Sequence, residues 1–83
     1  MLETATVVLT KEITGGVAFR LQDGSHVLAE QIDSKKLRVG QKLQGQLDSM
    51  GIEQLMDLES NNVYGVFVQA YGLTLEAVRG ELT

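Results

Sequence analysis

The sequence predicts a mainly β protein: a five-stranded closed barrel over residues 1–60, followed by a C-terminal helical hairpin over 61–83. Three observations carry this. Apolar residues alternate with period two from Thr4 to Leu58. Turn chemistry, Asp23-Gly24 and Ser49-Met50-Gly51, falls between the alternating runs. After Ser60 the apolar spacing changes to the i, i+3, i+4, i+7 of a helix.

The first strand is Thr4 to Thr10, rich in β-branched residues, with Ala5, Val7 and Leu9 on one face. Gly15-Gly16 bends the chain, and Val17, Phe19 and Leu21 then alternate with outward Ala18, Arg20 and Gln22. A two-residue turn with positive φ at both Asp23 and Gly24 leads to a third strand. There Val27, Ala29 and Ile32 face in, and His26, Leu28 and Glu30 face out. Leu37 and Val39 read as anchors before a fourth strand with Leu43, Gly45 and Leu47 inside. In the fifth strand, Ile52, Met56 and Leu58 are expected to face the interior, with Leu55 outside.

Beyond Ser60, which with Asn61 offers a cap, Val63, Val66, Phe67 and Ala70 fit one helix near 61–71 that stops at Gly72. A strand over Val63 to Tyr71 is the rival, given its Val, Tyr and Phe content and Gly65. Thr74 can cap a second helix with the stripe Leu75, Val78 and Leu82, and Glu76 in its first turn.

Composition sets bounds on function. At 83 residues there is room for one domain. The chain has no Cys, which suits a reducing compartment and predicts a cytoplasmic protein. No apolar stretch approaches the ~20 residues of a membrane helix, so no membrane partner is expected. A net charge of -4 works against indiscriminate phosphate binding. His26, the sole His, lies beside a tight turn with Ser25 and Asp23, and no nucleophile elbow accompanies it; one His and no Cys leave no zinc set. The carboxylates are scattered singly. The expectation is a non-enzymatic module that needs neither metal nor cofactor.

The motifs Phe19-Arg20, Val27-Leu28-Ala29, Lys35-Lys36-Leu37-Arg38 and Leu37-Arg38-Val39-Gly40-Gln41-Lys42-Leu43 carry a resemblance. The span from Thr4 to Leu58 resembles the cold-shock domain and, equally, bacterial translation initiation factor one, both oligonucleotide-binding barrels. The resemblance implies an OB-like barrel that holds RNA or single-stranded nucleic acid. The sequence departs from the cold-shock pattern where that family stacks bases on aromatics: those positions fall on Gly16, Ala18, Leu28, Glu30 and Gln31. Binding would then rest on backbone charge, as the initiation-factor resemblance implies.

Two function classes follow. In one, Arg20, Lys35, Lys36, Arg38 and Lys42 form a phosphate track for RNA or single-stranded nucleic acid. In the other, the barrel is a scaffold and the apolar tail contacts a protein partner, or a second copy in a homo-oligomer, through Val66, Phe67, Tyr71 and Leu75. Val8, Leu28 and Leu55 stand outside by alternation, so the tail is expected to fold over them or over another copy.

Overall fold

The computed structural model describes residues 2–82. Two antiparallel meanders make the barrel: β1 (Glu3–Lys11), β2 (Gly16–Leu21) and β3 (His26–Gln31), then β4 (Lys42–Gly45), β5 (Gly51–Asp57) and β6 (Val63–Leu73). They close on each other in the order β1-β2-β3-β6-β5-β4. One seam joins β3 to β6, with Ala29 opposite Val68, and the other joins β1 to β4, with Ala5 opposite Leu43. A closed barrel was expected, and six strands build it rather than five. In place of the helical hairpin there is one short helix, α1 (Leu75–Leu82).

The segment expected as a helix near 61–71 is strand β6. Its apolar positions satisfy both periods, but Tyr64, Val66 and Val68 alternate into the core, where β-branched side chains suit a pleated surface. Asn61, offered as a cap, instead takes a left-handed φ of 61° in the turn before β6. Gly72, offered as a helix stop, lies within β6 with a φ of 69°.

The core holds Phe19, Leu43, Leu47 and Leu55, all fully buried, with Val7, Val17, Val27, Ala29, Val66 and Val68 around them. Alternation in β2 and β4 is as expected, and Leu37 is a buried anchor. Several positions are corrected. In β5 the parity is inverted: Leu55 and Asp57 point inward, and Ile52, Met56 and Leu58 are exposed. A bulge between Val7 and Leu9 turns β1, so Leu9 leaves the core and pairs with outward Ala18. Ile32 and Val39 are exposed. His26, expected outside, is buried.

The β2–β3 hairpin forms, but with a three-residue loop. Gly24 N–H donates to the Leu21 carbonyl at 3.1 Å, Leu21 N–H donates to the Ser25 carbonyl at 2.8 Å, and only Gly24 has positive φ. The Asp23 carboxylate accepts from Ser25 N–H and Oγ, which holds its pKa below the ordinary range.

Helix α1 begins where expected. Thr74 Oγ1 accepts from Ala77 N–H at 3.2 Å, and Glu76 sits in the first turn. Val78 is fully buried against Ala18 and Leu28, with Val8, Leu9, Ala70, Leu73 and Leu82 around them. The tail therefore covers Val8 and Leu28, as the sequence led one to expect, while Leu55 is sheltered inside the barrel.

Candidate functional site

Of the five cations expected to form a phosphate track, Arg20, Lys42 and Arg38 line adjoining depressions, and Lys35 and Lys36 line another. Arg20 and Lys42 come closest, because both stand opposite Thr6, one from β2 and one from β4. That separates their backbones by about two strand spacings, ~10 Å. Thr4, Thr6 and Gln22 complete the shallow depression between them. On its other side Lys42 shares a depression with Arg38, Asp57 and Glu59, so two carboxylates line it beside the two cations.

Lys35 is exposed and is tied to the start of β6. Its Nζ donates to the Val63 carbonyl at 2.6 Å and lies 5.7 Å from the centre of the Tyr64 ring. Gln31 Nε2 donates to the Lys35 carbonyl, and Asp33 accepts from Lys35 N–H and from Gly65 N–H. Partial burial pushes the Asp33 pKa up, but the donors at Gly65, Gln31 and Lys35 outweigh it and leave it lowered. Lys36 pairs with Glu12 at 2.8 Å, both about 71% exposed.

A polar network braces the same end of the barrel. Gln41 Nε2 donates to Asp57 Oδ2 at 2.5 Å and lies 3.1 Å from the Tyr64 hydroxyl. Asp57 Oδ1 accepts from Glu59 N–H and Ser60 N–H, so a buried carboxylate fixes the β5–β6 turn. The Gln41 amide first, then the Ser60 and Glu59 N–H groups, hold its pKa below the ordinary range. Among the described residues, no group of three or more His, Asp or Glu side chains could hold a metal ion. No described helix is long and apolar enough to cross a membrane.

The apolar tail residues also divide. Val66 is fully buried in the core, and strand alternation is the reason: its neighbours on β6, Tyr64 and Val68, share that inward face. Phe67 points outward from β6, and Tyr71 and Leu75 are partly exposed farther along.

Phe67 belongs to a larger surface that includes Ile52 and Met56, which were expected inside the barrel. Successive outward positions of the β5–β6 ladder pair Ile52 with Phe67, Gln54 with Gly65, and Met56 with Val63. Ile52 is 68% exposed, Phe67 43%, Val63 41% and Met56 39%. Ile32 lies over Gly65, where a Cβ would come within 3.1 Å of its Cγ1, and Leu58 continues the apolar surface past Met56. None of the six ladder residues is charged, although 22% of the chain is. Charges lie at its borders: Glu30 is opposite Phe67 on β3, and Lys35 sits at Val63. The sequence signal was present in the apolar parity of Ile52, Met56 and Leu58, which reads the same for an inward face as for an uncovered outward one.

No family model, no curated protein and no solved structure matches the chain.

Proposed function

We propose that this chain is a non-enzymatic protein-binding module that works through the outward face of β5 and β6. One observation carries the reading: the barrel has two apolar outer faces, of which α1 covers one and leaves the other bare. An uncharged apolar face rimmed by polar groups fits a protein contact, where the centre of an interface is depleted in charge and enriched in aromatic residues and Met.

The covered face bears on the nucleic-acid reading. Ala18 and Leu28, two positions at which the cold-shock resemblance would stack bases, lie beneath Val78, and Leu82 lies against Gly16. A second reading keeps single-stranded nucleic acid as the ligand, favoured by the exposed pair Arg20 and Lys42 across Thr6. It would act through phosphate contacts and weaken steeply with salt.

A photoreactive side chain placed at Gln54, and in a second variant at Gln22, tests both. Protein adducts at Gln54 in extract of the native host support the module. RNA adducts at Gln22, with none of protein at Gln54, would replace it with the second reading.

A further inference from the structure

We infer that the occupant of the β5–β6 face is a second copy of this chain, packed about a twofold axis that runs along the row of Gln54 and Gly65; this rests on the protein-binding reading above. The ladder is laid out symmetrically about that row. Two residues to one side stand Ile52 and Phe67, and two residues to the other stand Met56 and Val63. A twofold in the plane of the contact sets Ile52 of one copy over Met56 of the other, and Phe67 over Val63. Each large side chain meets a smaller or more pliant one, as two interdigitating sheets require.

The axis itself falls on Gln54. An amide carries both donors and an acceptor, so two copies of Gln54 facing each other satisfy one another without any other partner. An isologous contact demands this self-complementarity.

The borders match under the same operation. Glu30 extends the Phe67 row on β3, and Lys35 lies beside Val63 on the same flank of the sheet. Turning Phe67 onto Val63 therefore brings Glu30 of one copy to Lys35 of the other, twice per dimer.

The area is of the right order. Ile32, Ile52, Met56, Leu58, Val63 and Phe67 are each roughly half exposed. At roughly 100 Å² apiece they offer on the order of 600 Å² before the polar border is counted, against about 800 Å² per partner in a standard interface.

Sedimentation equilibrium and thiol cross-linking on the purified chain test this. The wild type is expected to shift from monomer to dimer as its concentration rises, and Phe67→Glu to weaken the association at least about tenfold while its circular dichroism stays that of the wild type. The chain has no Cys, so Gln54→Cys introduces a single thiol, at the axis. A short bifunctional maleimide able to span the ~10 Å between stacked sheets should convert it almost wholly to a covalent dimer, and Gln22→Cys should not be cross-linked. Glu30→Lys should weaken the dimer at low salt, and adding Lys35→Glu should restore it. A wild type that stays monomeric throughout, or a dimer indifferent to Phe67→Glu, overturns the inference. A monomer whose Gln54 photoadducts are to a different protein defeats the second copy and leaves the protein-binding reading standing; adducts to RNA alone defeat both.

Discussion

Leu82 occupies the space that a side chain at Gly16 would need: a Cβ there would lie 2.5 Å from Leu82 Cδ2. The last turn of α1 is thus seated in a notch made by a missing side chain. Gly16→Val should cost about 1–2 kcal/mol by overpacking, and less when Leu82→Ala has already cleared the notch. A double-mutant cycle by urea denaturation measures the coupling; strictly additive costs would mean that the two residues do not share the space.

Gly45 is a harsher position. A Cβ there would collide with the Leu55 side chain and lie 2.9 Å from the Gln54 carbonyl oxygen, which belongs to the backbone of a paired strand. Gly45→Ala is expected to cost about 3 kcal/mol, more than Gly16→Ala, because the β4–β5 ladder must part. Thermal unfolding of the two variants side by side gives the ranking.

Neighbours on β6 should behave oppositely. Val66→Ala empties part of the core and is expected to cost about 2 kcal/mol. Phe67→Ala, at dilutions where copies are apart, should change stability by no more than about 0.5 kcal/mol. Equal losses would contradict the inward and outward assignment of this strand.

Acid stability separates two carboxylates. Asp57 has its pKa lowered in the fold, so its contribution is present above the unfolded carboxylate range and is lost as pH falls through the folded value. Asp57→Asn should be destabilised at pH 7 and match the wild type in strong acid. Glu3 is opposite in sign. Burial first, then Asp48 and Asp23, raise its pKa, and its Oε1 is buried without a hydrogen-bond partner among the described residues. Ionising it opposes folding, so the penalty is absent below the unfolded value near 4.5 and complete above the folded one. Glu3→Gln should stabilise at pH 7 and be neutral in strong acid. Denaturant midpoints across pH check both.

The second and fourth strands were the most legible, because bulky apolar residues hold one parity and polar ones the other: Val17, Phe19 and Leu21 against Arg20 and Gln22, and Leu43 and Leu47 against Lys42, Gln44 and Gln46. The rule failed in β5 for a physical reason. An uncovered apolar face outvotes an interior that needs only Leu55 on one side and accepts a hydrogen-bonded Asp57 beside it. Ile52 and Met56 of the candidate site belong to the misread register. In β6, Val63, Val66, Phe67 and Ala70 satisfy a helical period by coincidence, and what decides for a strand is pairing with β3 and β5, which one segment read alone does not contain. The bulge after Val7 and the buried His26 likewise arise from long-range packing.

The two meanders share one core but are hydrogen-bonded to each other along two seams, β3–β6 and β1–β4, and the chain between them runs through exposed Ser34, Lys35 and Lys36. A nick in that segment would leave each fragment with a whole three-stranded sheet. The fragment carrying α1 would still clasp the other by setting Val78 on Ala18 and Leu28. The barrel is in that sense a pair of interlocking halves, with the helix as a latch from the second onto the first. Complementation between separately made fragments follows from its connectivity, and so does a natural place to insert a foreign peptide without breaking a ladder.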